Sequence, residues 1–175
     1  MIILGIDPGS RITGYGLIDH QPERILYIAS GYLKINATQF PGRLGQIFKQ
    51  IGAVIDEYRP QHMSIENVFM QRNADSALKL GQARGAAICA AYQAGLEIAE
   101  YAPREIKQSL VGRGAASKDQ VQHMVRRLLG LQTKTLQADE GDGLAIAICH
   151  AQFYAARQKT GIDKTMFKRR SGRRR

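Results

Sequence analysis

The sequence predicts an α/β protein, a mixed five-stranded sheet flanked by helices. Two observations carry that expectation. Short, largely apolar runs recur at 2–7, 12–19, 24–35, 61–67 and 96–101, and segments of helical period separate and follow the later ones. The first three runs are joined by short turns, which calls for antiparallel pairing. The later runs are separated by helices, which calls for parallel pairing.

Residues 2–7 are β-branched and apolar, a buried strand that ends at the turn Asp7-Pro8-Gly9-Ser10. In the second strand, 12–19, Gly14 and Gly16 point to a close backbone approach. Gln21-Pro22-Glu23 makes a hairpin to the third, 24–35, which alternates only in part. From Pro41 to Tyr58 the period turns helical: Leu44, Ile47, Ile51, Val54, Ile55 and Tyr58 share a face, and Pro60 stops the run. A fourth strand ends in Glu66-Asn67. The polar connector Gln71-Arg72-Asn73 then leads into an alanine-rich helix over about 74–94. A fifth strand and a short helix near 104–110 follow. Ser117-Lys118-Asp119-Gln120 has the pattern of a capping box, opening a helix to about Leu129 that Gly130 closes. Asp139 opens the last helix, to about Arg157.

At 175 residues and 44% hydrophobic, the chain is long enough for one domain with a real core. No stretch of 18 apolar residues is present, which excludes a membrane-spanning helix, and no leader sequence is evident. Cys89 and Cys149 sit in alanine-rich helical patterns without zinc spacing, and read as reduced, buried core thiols. Together these features predict a cytoplasmic protein. The net charge of +10 is unevenly placed. From Arg157 onward nine Lys or Arg face one acid, Asp163, so this segment carries +8 and the rest +2. Residues 1–157 therefore read as the folded domain and 158–175 as a basic, disordered tail, either a solubility aid or a non-specific contact for phosphates.

Against that basic background four acids stand at the ends of apolar runs: Asp7, Glu66, Asp139 and Asp142. Each alone has an ordinary reading: a turn residue for Asp7, an exposed strand end for Glu66, a helix cap for Asp139 or Asp142. The four together do not. Asp7 and Glu66 close strands, where sites of open α/β sheets gather. Asp139 and Asp142 are spaced i,i+3 and share a helix face. Carboxylates brought together in this way repel unless hard, oxygen-binding cations such as magnesium neutralise them. Two such ions, roughly 3.5–4 Å apart, suit in-line phosphodiester hydrolysis.

Ile3 to Ser10, Ile65 to Met70, Asn73 to Gly85 and Asp139 to Ala147 resemble the RuvC family of Holliday-junction resolvases, in the right order and over about residues 1–155. The first motif is shared with actin-like ATPases; the Asn73–Gly85 block is far more specific. The resemblance implies a ribonuclease H-like fold, a homodimer, and magnesium-dependent cleavage of a four-way DNA junction by two symmetric nicks. Magnesium is expected at two ions per site, with manganese as a substitute. Asp7, Glu66, Asp139 and Asp142 match the family's catalytic acids. RuvA and RuvB are its usual partners. Lys107 and Lys118 match DNA-binding lysines; Arg72, Arg104 and Arg113 are further candidates for backbone contact. Phe69 either stacks on unpaired junction bases, as the resemblance implies, or packs beneath its loop. Gly81, Gly85, Ala86, Ala87, Ala90 and Ala91 make a small-residue face for sheet packing or for the dimer. One departure matters: Asp139-Glu140-Gly141-Asp142-Gly143 carries glycines where the family usually has alanine, which weakens the first helical turn. Glu140, at i+1, is expected to point away from the metals.

Competing readings are a junction binder that does not cut, a small actin-like ATPase, and a nuclease for RNA in RNA–DNA hybrids. The chain is short for the second, which needs two nucleotide-clasping domains.

Overall fold

The computed structural model describes residues 1–68 and 73–160. Phe69, Arg72 and the tail from residue 161 lie outside them. Five strands form one sheet in the order β3-β2-β1-β4-β5. β1 (Ile2–Asp7), β2 (Ile12–His20) and β3 (Ile25–Lys34) pair antiparallel. β4 (His62–Glu66) and β5 (Glu97–Tyr101) continue from β1 in parallel. The expected mixed sheet is present. The partial alternation of β3 has a local cause: between Leu17 and Ile18 of β2 the register skips Ile28, a bulge.

Helices cover both faces. α1 (Phe40–Tyr58) and α2 (Ala74–Gln93) lie on one; α3 (Pro103–Val111), α4 (Lys118–Leu128) and α5 (Ala138–Thr160) lie on the other. Strand alternation divides the core accordingly. Leu4, Ile6, Leu17, Met63 and Ile65 pack against α1 and α2. Ile3 and Ile18 pack against α5. Gly5 and Asp7 share the parity of Ile3; Ser64 and Glu66 have the opposite parity to Met63 and Ile65. Both acids therefore belong to the α5 face.

α5 lies unusually close to that face because glycines line the contact. A Cβ on Gly5 would lie 2.1 Å from the Gly143 carbonyl oxygen, and one on Gly16 would lie 2.5 Å from the Leu144 nitrogen. On Gly14 it would meet the Asp139 carbonyl oxygen at 2.2 Å, and on Gly143 the Tyr15 carbonyl carbon at 2.5 Å. The expected close approach at Gly14 and Gly16 is present, and its partner is α5. Gly143 has a packing role beyond weakening the helix, since backbone fills the space a side chain would need.

The ends of the helices follow local chemistry. Arg59 ends α1 in the left-handed conformation, before Pro60. Ser117 Oγ accepts from the Gln120 N–H while Gln120 Oε1 accepts from the Ser117 N–H, closing the expected capping box of α4. α5 begins one residue before Asp139 and runs past Arg157 to Thr160. Glu140 Oε2 accepts from the Gln137 N–H at the start of that helix, so this acid caps the helix as a bystander to the site.

The cysteines require a correction: Cys149 is buried, but Cys89 is exposed. From Gly85 to Ala91 every residue is apolar and most are small, so composition does not mark the outward side. The small-residue face of α2 divides likewise. Ala83, Ala87, Ala90 and Ala91 are buried against α1 and the sheet, whereas a side chain on Gly81 or Gly85 would meet only open space. The buried histidines are core hydrogen-bonding groups. His62 Nδ1 lies 3.1 Å from His150 Nε2, whose Nδ1 lies 2.8 Å from Tyr101 Oη.

Candidate active site

The parallel β1–β4 ladder is in register to the pair Ile6–Ile65, and Asp7 and Glu66 are the next residues. Two neighbouring strands thus end in acids on the same face. The N-terminal part of α5 brings Asp142 to the same cleft. A cleft of about 180 Å³ is lined by Asp7, Glu66 and Asp142, by Lys107 of α3 and Lys118 of α4, and by Pro103, Ile106, Val121, Ala145 and Ile146. Asp139 is not part of its wall, although its charge is felt by Asp7.

The electrostatics record this crowding. Burial first, and then repulsion from Glu66, Asp142 and Asp139, together raise the Asp7 carboxyl from 3.8 to about 7, with Lys118 acting the other way. Glu66 is raised as well, mainly by burial and then by Asp142, with Lys107 and Lys118 acting the other way. Asp142 is held from α4 at both oxygens. Lys118 Nζ lies 2.7 Å from Oδ2, and Gln122 Nε2 donates to Oδ1 at 3.0 Å. Lys118 is itself raised, first by its hydrogen bond to Asp142. Gln122 also donates to the Ala138 carbonyl at 3.2 Å, which ties α4 to the start of α5.

Of the residues expected from sequence, the fold brings together Asp7, Glu66, Asp142, Lys107 and Lys118, with Asp139 at the margin. Arg104 and Arg113 are exposed on the α3–α4 side. Phe69 and Arg72 lie outside the described residues. Sequence reasoning passed over Gln122 and Arg84. Gln122 lies one helical turn after Lys118, so i,i+4 spacing was a usable signal for it. Arg84 lies within the family-specific block, but nothing local ties it to the end of a strand eighteen residues away.

A family model described as crossover junction endodeoxyribonuclease RuvC matches residues 3–150. The chain belongs to the RuvC family. It is 53% identical to the crossover junction endodeoxyribonuclease RuvC of Chromohalobacter salexigens, over 99% of this chain and 91% of that protein. Thermus thermophilus RuvC superposes with a TM-score of 0.81 at 33% identity, covering 91% of this chain and 98% of that one. The same T. thermophilus protein in complex with a Holliday junction substrate gives 0.82 at 32% identity, covering 89% and 96%. The fold is ribonuclease H-like, as the resemblance implied.

RuvC membership implies a divalent-metal requirement, and the donor set fits one. The cleft offers hard carboxylate oxygens, and repulsion from Glu66, Asp142 and Asp139 adds to the burial that raises the Asp7 carboxyl. As the side chains stand, no three His, Cys, Asp or Glu among the described residues converge into a ready-made cage. The Lys118 ammonium partly neutralises Asp142 instead. No described helix is long and apolar enough to cross a membrane.

Proposed function

We propose that this protein resolves four-way DNA junctions by paired, symmetric nicks, acting in recombination and repair. The observation that carries the reading is the convergence of Asp7, Glu66 and Asp142 with two lysines in one cleft of a RuvC-family chain. Asp7, Glu66, Asp139 and Asp142 are the catalytic residues and would hold the metal, magnesium at two ions per site, with manganese able to replace it. When bound, such ions polarise a phosphoryl oxygen and lower the pKa of water. The chain's own groups do the rest. Burial and its acidic neighbours raise the Asp7 carboxyl to about 7, so near neutral pH it is partly protonated and a cation bound there would displace that proton. Lys118, more than half exposed, has slack to exchange Asp142 for a DNA phosphate, and Lys107 adds positive charge to the cleft from α3. Phe69 is the proposed aromatic contact to junction bases. Residues 1–157 are the proposed nuclease domain, with 158–175 a basic appendage that contacts phosphates.

Two symmetric nicks need two sites related by a two-fold axis, which is why a homodimer belongs to the proposal. RuvA and RuvB are the proposed partners, and the cytoplasm the proposed location. The test is cleavage of a synthetic four-way junction in magnesium, with a matched linear duplex as control. Paired nicks on the junction alone support the reading. Tight binding without nicks in magnesium or manganese would replace it with a non-cutting junction binder. The glycines give that alternative little support, because Gly143 seats α5 against β2 with Asp142 in the cleft.

A further inference from the structure

We propose that Arg84 is a positioning residue, clamping the main chain at the end of β4 and so fixing where the Glu66 carboxylate stands. The inference rests on the nuclease reading above. Arg84 lies in α2, and its guanidinium reaches two strands. Nε donates to the Glu66 carbonyl oxygen at 3.1 Å, and Nη2 donates to Asn67 Oδ1 at 3.1 Å. Nη2 also pairs with Glu100 Oε2 of β5 at 2.5 Å, and the Arg84 side chain is 18% exposed.

The location explains the need. Glu66 stands one residue beyond the last pair of the β1–β4 ladder, so β1 no longer fixes its backbone. On the other side Asn67 N–H still donates to the Tyr101 carbonyl at 2.8 Å. Arg84 adds a donor to the Glu66 carbonyl at the last pair of the β4–β5 ladder, Glu66–Tyr101, where pairing with β1 has already ended.

The charge is arranged with equal economy. A guanidinium beside a metal-binding carboxylate would ordinarily compete with the cation. Here Glu100 takes up the Arg84 charge, and among the described residues Arg84 otherwise donates to the Glu66 carbonyl and the Asn67 side-chain amide oxygen. Arg84 does not line the cleft, so it does not touch the reacting atoms. Lysine cannot substitute fully, because one ammonium on a flexible stem lacks the planar fork.

The test uses the full chain with Arg84→Lys, Arg84→Ala and Glu100→Gln. Three quantities are read: junction affinity in EDTA, single-turnover cleavage at saturating protein below each variant's melting temperature, and the rise in melting temperature of the DNA-free protein on adding magnesium. Both Arg84 variants should cut about 10- to 100-fold more slowly, with junction affinity unchanged and a smaller magnesium-induced rise. Glu100→Gln, remote from the cleft, should move cleavage and the magnesium response in the same direction by less. Cleavage at the parent rate in both Arg84 variants overturns the proposal, since their role is then only structural. So does junction affinity that falls in step with the rate, which makes Arg84 a DNA contact. If Arg84→Ala does not fold, Arg84→Lys and Glu100→Gln decide. If the parent itself cuts no junction, the nuclease reading fails separately. An undiminished magnesium response in Arg84→Lys then overturns the Arg84 proposal by itself.

Discussion

Asp7 shows how burying a carboxylate among other acids works against stability. Its carboxyl is raised to about 7, mainly by burial, so between pH 4 and 7 the folded protein holds a proton that the unfolded chain has released. The metal-free protein should therefore lose stability as pH rises through that window, by a few kcal/mol at most. Asp7→Asn should abolish cleavage, leave junction binding intact, and melt higher than the parent in EDTA at pH 8. The gap should close as pH falls toward 4. Thermal melts across that range check it; a variant that melts lower at pH 8 contradicts the electrostatic account. Lys118 makes a matching case. Lys118→Ala should slow cleavage of a bound junction without unfolding α4, because an exposed ion pair adds little to stability.

At the scale of elements, the α5–sheet contact decides where the acids stand. Gly5→Ala would force a Cβ into the Gly143 carbonyl, so it should destabilise by about 1–3 kcal/mol or more in denaturant unfolding. Gly14→Ala meets the Asp139 backbone, and should cost more in cleavage rate than its stability loss explains. The sequence made much of this legible. The apolar runs marked five strands, Gly14 and Gly16 marked a close approach, and Ser117 marked the start of α4. The approaching helix was not legible, because the partner of a glycine lies in another element. Gln122 and Arg84 escaped for the same reason: their hydrogen bonds cross twenty and eighteen residues of chain. The exposure of Cys89 was hidden because α2 has small residues on nearly every side.

For the whole molecule, charge sets the terms of binding. The four acids subtract from a core that carries only +2 before Arg157, so cations in the cleft should strengthen DNA binding as well as permit chemistry. Junction affinity should fall steeply with salt, and a chain ending at Thr160 should show a shallower salt dependence. That truncated chain should keep the parent's melting temperature and its cleavage rate at saturating protein. A lower melting temperature would make residues 161–175 part of the folded unit.

The glycine contact also bears on how the protein would look to genetics. In an activity screen Gly5, Gly14, Gly16 and Gly143 would score as indispensable alongside Asp7 and Glu66, although a glycine has no side chain to offer to DNA or metal. Suppressors of such losses should arise in α5, where a trimmed or shifted side chain lets the helix settle again, rather than among groups that could replace a lost carboxylate. Second-site mapping would then distinguish a residue that performs chemistry from one whose contribution is to leave room.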